Sequence, residues 1–136
     1  MPRIVLRLAL ALGGLTDLFV ATLMLFFQSA TGPILDIPTK DPASATFVGC
    51  ELVVVALVYL ALIRDPVRFR PLLYIVALDQ VVAAAWPVYE VWHGDIAGTW
   101  RTLGPIPFNL ALVAIYLVAA RVRGPEPATS NRSDHG

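Results

Sequence analysis

The stretch LLYIVALDQVVAAAWPVYEVW, residues 72–92, decides how the chain is read. It offers 21 residues of predominantly apolar side chain, about the number that a helix needs to cross a hydrocarbon core of roughly 30 Å. Asp79, Gln80 and Glu90 interrupt it, where a soluble helix of this length would carry a whole polar face. Three further segments are similar. They run from about Ile4 to Phe27 (with Asp17), from Ala43 to Ile63 (with Glu51) and from Leu103 to Ala120 (with Asn109). The reading is therefore all-α, an integral membrane four-helix bundle occupying residues 1–123. Inside a bilayer each backbone must satisfy its own hydrogen bonds, so even Val53-Val54-Val55 is expected as helix rather than strand.

Composition agrees. Of 136 residues, 57% are hydrophobic and 15% charged, with a mean hydropathy of +0.71. A water-soluble domain carries roughly 45–50% apolar and about 25% charged residues. Ten basic residues balance ten acidic ones, which leaves no net charge to attract nucleic acid. Cys50 is the sole cysteine, so an intramolecular disulfide, a CxxC redox centre and a cysteine-rich zinc site are all excluded.

Connections punctuate the spans. Residues 29–42 form a polar loop bearing Gly and Pro, ending in Asp41-Pro42-Ala43-Ser44, a helix-start pattern with proline early. Arg64-Asp65-Pro66-Val67-Arg68-Phe69-Arg70-Pro71 reads as a tight basic turn, and His93 to Thr102 as a second polar loop. Gly104-Pro105-Ile106-Pro107 either breaks the chain or opens the fourth helix. From Gly124 onward the composition shifts to Pro, Ser, Asn and Asp, and residues 124–136, with His135, read as a disordered cytoplasmic tail without a functional role. Arg3, Arg7, Arg64, Arg68, Arg70, Arg121, Arg123 and Arg132 lie at the termini and the basic turn; only Lys40 and Arg101 lie in the other loops. This bias places both termini in the cytoplasm. Arg3 and Arg7 before an apolar stretch also suggest a signal peptide. However, the stretch is long, Asp17 interrupts it, and Gln28-Ser29-Ala30 is a poor cleavage site, so the segment is read as a retained anchor.

The informative residues are those a bilayer rejects. An acid at helix centre costs about 2.5–3.5 kcal/mol on insertion scales, so it is expected to face protein or water. Asp17 lies ten residues past Arg7, about 15 Å along the helix, and Asp79 nine past Arg70, at nearly the same depth. Glu51 and Asn109 enter from the opposite side. With no Lys, Arg or His deep in any span, these acids would be protonated and hydrogen-bonded, wet, or bound to a cation. Gly13, Asp17 and Ala21 form a small-residue face for close packing. Asp79, Ala83, Trp86, Glu90 and His93, spaced 4, 3, 4 and 3, share a face of the third span, which Pro87 should bend. The candidate ligand-binding set is accordingly Asp17, Glu51, Asp79, Trp86, Glu90 and Asn109, with Asp17, Glu51, Asp79 and Asn109 expected in one polar core. Asp17 and Asp79 read first as interhelical hydrogen-bonding glue and next as a ligand, proton or cation site. Trp86, Tyr89, Trp92 and Trp100 fit an aromatic belt at one interface and Tyr59, Phe69, Tyr74 and Tyr116 one at the other. Trp86 also suits the wall of a binding pocket. Cys50 is expected as a packed apolar residue. Glu90-Val91-Trp92-His93 matches half of a di-metal carboxylate signature, but no second copy exists, so no metal and no cofactor are assigned.

Four short spans resemble the layout of small bacterial membrane proteins of the BphX-like and DoxX-like groups. The likeness is carried by Leu35-Asp36-Ile37-Pro38 in the first loop, by Tyr59-Leu60-Ala61-Leu62-Ile63-Arg64-Asp65-Pro66 closing the second span and by Arg68-Phe69-Arg70-Pro71-Leu72-Leu73 opening the third. It covers about residues 4–122 and implies a four-helix membrane bundle with no defined common activity. Cys50-Glu51-Leu52-Val53, with acids facing a bundle interior, is similar to the EXPERA-type domain, and that likeness implies Asp17 and Glu51 as contacts for a cationic or sterol-like ligand.

Three functions compete on these grounds. The first is a non-catalytic accessory or scaffold subunit, with a membrane protein or a second copy as partner in the lipid bilayer. The second is an intramembrane binder or acid–base enzyme for a lipophilic ligand such as a quinone, sterol or aromatic compound. The third is a proton or cation conductor stepping through Asp17, Asp79, Glu51 and Glu90.

Overall fold

The computed structural model describes residues 3–37 and 41–122. Six helices follow one another: α1 (Arg3–Phe26), α2 (Gln28–Leu35), α3 (Pro42–Arg64), α4 (Leu72–His93), α5 (Trp100–Leu103) and α6 (Ile106–Arg121). Among the described residues there is no strand. Four stretches are long and apolar enough to cross a membrane: α1, α3, α4 and the Trp100–Arg121 run containing α5 and α6. The protein is thus an all-helical, multi-pass membrane bundle. Large apolar side chains coat its outside, as lipid solvation demands; Ile4, Leu15 and Leu78 are all more than 60% exposed.

Local chemistry explains the helix limits. Asp41 caps α3, its carboxylate accepting from the Ala43 N–H (3.1 Å), the Ser44 N–H (3.0 Å) and the Ser44 hydroxyl (2.5 Å). The Ser44 hydroxyl and the two backbone N–H groups hold the Asp41 carboxyl below the usual carboxylate range. Pro42 then occupies the first turn, where its missing N–H costs nothing. At the other end Arg70 donates from Nε to the Ala120 carbonyl (2.7 Å), and from Nη2 to the same oxygen, covering the C-terminal end of α6. The basic turn therefore ties the α3–α4 connection to the last helix. Of the two readings of Gly104-Pro105-Ile106-Pro107, the second holds: Pro105 is the residue before α6 and Pro107 lies in its first turn.

One segment departs from expectation. The loop after the first span begins with a helix, α2, which ends at Asp36 in the left-handed conformation (φ 56°). Asp36 is pinned there by the Thr99 hydroxyl (2.7 Å) and faces Arg101 (3.7 Å), while Arg101 also donates to the Pro33 carbonyl (2.9 Å). Helix formation here relies on the opposite loop, a tertiary contact that local composition does not reveal. The tail from Gly124 lies outside the described residues.

The four spans form two close pairs, α1 with α3 and α4 with α6, and the pairs meet through α1–α6 and α3–α4. Leu10, Tyr59, Leu62, Leu73, Val76, Ala77, Leu112 and Tyr116 build the core in the half toward the basic turn. Toward the loop side α1 and α3 approach closely at Gly49, where an added Cβ would lie 2.7 Å from Leu25 Cγ and 3.2 Å from Met24 Cβ.

Candidate functional site: a buried polar layer

Gly13, Asp17 and Ala21 are all buried along α1, as their spacing predicts. Gly13 faces two tyrosines: a Cβ there would stand 2.7 Å from Tyr116 Oη and 2.9 Å from Tyr59 Cε1. Only a glycine leaves room for both rings, which lie 6.1 Å apart at an interplanar angle of 59°. One turn along α1, the Asp17 carboxyl sits against that of Asp79 from α4. Gln80 Nε2 donates to Tyr59 Oη (3.0 Å) and to Asp79 Oδ2 (3.1 Å), and the Tyr59 hydroxyl is 3.5 Å from the same oxygen. Tyr116 Oη donates to the Ala9 carbonyl (2.8 Å), fastening α6 to α1. Every span thus contributes to one polar layer inside the bundle, and α6 also carries the buried Asn109. Asp17 is 5% exposed, and its Oδ2 has no hydrogen-bond partner among the described residues.

Two carboxyls in contact, with no Lys, Arg or His deep in any span, require protons or an incoming cation for charge balance. The arrangement can hold a shared proton or serve as a fixed interhelical bond. Among the described residues no group of three or more His, Cys, Asp and Glu side chains converges as metal ligands do.

The expected set is only partly gathered. Asp17 and Asp79 meet, and Asn109 is buried. Glu51 is exposed, and so is Cys50, which was expected to be packed. The cause is local helical phase: in this half α3 packs inward through Ala45 and Gly49, and Glu51 lies about 200° around the helix from Gly49. Phase also displaces the α4 pattern. The buried side of α4 is Leu73, Val76, Ala77, Gln80 and Ala84, so Asp79 stands at its margin, Trp86 is 41% exposed and Glu90 is half-buried toward the loop end. Trp86 joins the exposed Tyr89, Trp92 and Trp100 on the outside of the bundle. His93 bonds through Nδ1 to the Tyr89 carbonyl (2.9 Å) and stacks near the Tyr89 ring (4.1 Å).

Three members of the layer escaped the sequence reading as a site. Tyr59 and Tyr116, expected in an interfacial belt, are 1% and 0% exposed, and Gln80 is 2% exposed. The Gly13-Gly14 pair was the available signal, because Gly14 also abuts Tyr59, with Tyr59 Cβ 2.9 Å from where its own Cβ would be. Beside the layer an apolar groove of about 380 Å³ opens between α1 and α3, lined by residues including Gly14, Leu18, Val53, Leu57 and Tyr59. No family model matches the chain, and no curated protein or solved structure does either.

Proposed function

We propose that this chain is a non-catalytic accessory or scaffold subunit of a larger membrane protein assembly. In this proposal it resides in a bacterial inner membrane with both termini in the cytoplasm. The carrying observation is that most of the polar layer's hydrogen bonds run between helices. Tyr59 of α3 bonds to Asp79 and Gln80 of α4, Tyr116 bonds to the α1 backbone, and Gly13 is filled by the two rings. Such a layer fixes the register of four helices that otherwise present apolar surface all round, a property suited to a structural part. The layout shared with the BphX-like and DoxX-like groups is carried into this proposal as a likeness. Gentle-detergent extraction of a tagged chain from native membranes is the test: recovery with other membrane proteins supports the scaffold, and recovery of monomer or homo-oligomer alone contradicts it.

A second reading is favoured by one specific feature. The groove of about 380 Å³ between α1 and α3 reaches the Tyr59 that touches Asp79, and its size suits a small lipophilic molecule such as a quinone, sterol or aromatic compound. Mass spectrometry of lipid extracts from the pure protein tests this. A retained small molecule, lost in Asp79→Asn, favours the binder; an empty protein, unaffected by that change, removes it.

A further inference from the structure

We propose that the polar layer binds one alkali-metal cation of the size of Na+, held by the carboxyls of Asp17 and Asp79 and the side-chain amide of Asn109. Five polar or charged residues are buried among the described ones, and three of them are satisfied. Thr31 and Thr102 bond to backbone carbonyls, and Gln80 bonds to Tyr59 and Asp79. The other two are Asp17, whose Oδ2 has no hydrogen bond, and Asn109, 6% exposed, whose side chain bonds to no described residue. A bare polar group in an apolar interior is costly, and two at one level call for something between them.

Register sets that level. Tyr116 Oη bonds to the Ala9 carbonyl and lies against Gly13, which fixes α6 on α1. The first and fourth spans run in opposite directions. Asn109, seven residues before Tyr116, and Asp17, eight after Ala9, therefore lie about 10 Å and about 12 Å toward the same end. Seven residues also bring a helix back to within about 20° of its starting direction, so Asn109 shares the buried stripe of Leu112 and Tyr116. Asp17 follows Gly13 by one turn on the stripe that Tyr116 faces.

The chemistry selects a small cation. One proton shared by Asp17 and Asp79 leaves the pair with a single negative charge, which no Lys, Arg or His deep in any span balances. A second proton, placed on Asp17 Oδ2, would be a donor with no acceptor. A water molecule brings no charge, and Oδ2 is closed to water. A bare Na+ is smaller than water, is served by oxygens alone and cancels the charge. A Ca2+ ion takes six to eight oxygens, several of them carboxylates, and no three acids converge among the described residues. The inference stands apart from the scaffold reading, since its test involves no partner protein.

Thermal unfolding of the purified full chain in detergent is the test, in NaCl, CsCl and choline chloride at equal ionic strength. Na+ is expected to raise the midpoint by about 5 °C over choline, in a saturable manner. Cs+, too large for a site closed to water, leaves the midpoint at the choline value. Asp17→Asn, which keeps the shape and removes the charge, abolishes the Na+ effect. Asn109→Ala weakens the affinity for Na+ about tenfold, and decides the matter where Asp17→Asn does not fold. Asp65→Asn, at the basic turn, leaves the Na+ effect intact. Equal midpoints in NaCl and choline chloride overturn the proposal. So does a Na+ effect matched by Cs+, or one unchanged in Asp17→Asn or Asn109→Ala.

Discussion

Asp17 and Glu51 are both acids, each about 3–4 Å from the middle of its helix on the loop side, yet one is enclosed and the other faces outward. Depth and hydropathy treat them alike. Angular position separates them. Asp17 shares its stripe with Gly13 and Ala21, which allow another helix to approach, whereas Glu51 shares its stripe with Phe47 and Val54, which project into lipid. An ionisable residue in a membrane helix therefore takes its role from the size of its neighbours three and four positions away, which set whether the stripe is packed.

The contrast is broken most forcefully on the inner side. Gly13→Leu drives a side chain into Tyr59 and Tyr116 and is expected to prevent bundle formation, while Gly13→Ala costs about 1–3 kcal/mol; thermal unfolding in detergent micelles measures both. Next comes Asp79→Leu, which leaves the Tyr59 hydroxyl without its acceptor and takes one of two acceptors from Gln80, at a cost of about 1–2 kcal/mol in the same assay. Glu51→Leu should sharpen the comparison by doing almost nothing to the monomer, shifting stability by less than about 0.5 kcal/mol. A loss as large as that of Asp79→Leu would mean that Glu51 has an inward partner after all.

The smallest effect lies outside the membrane. Hydrogen bonds hold the Asp41 carboxyl below its ordinary range, so it stays ionised where a free aspartate begins to protonate. A lowered folded-state value means that the cap contributes fully above about pH 4 and fades only as pH falls through the depressed value. Amide exchange at Ala43 and Ser44 is expected to stay constant from about pH 8 to 5 once corrected for intrinsic rates, and to accelerate in Asp41→Ala at every pH.

Much of the architecture was legible in the sequence because bilayer thickness, basic turns and prolines act locally. All four spans, the Asp41 cap and the Gly13–Asp17–Ala21 face follow from such signals. The contents of the polar layer were half legible. Asp17 and Asp79 stand out as acids among apolar residues, but Tyr59 and Tyr116 carry no mark that separates a buried ring from an interfacial one. Their placement depends on glycines in a different helix. Likewise α2 depends on Thr99 and Arg101, more than sixty residues onward, and helical phase in α3 and α4 is blurred because both faces are apolar.

The most direct test of the central claim, that Asp17 and Asp79 are shielded from lipid against each other, is a cysteine pair. Asp17→Cys with Asp79→Cys, in a Cys50→Ser background, is oxidised and then exposed to a lipid-soluble maleimide. An intrachain disulfide that leaves both thiols unlabelled is the predicted result; two freely alkylated thiols with no disulfide would contradict it.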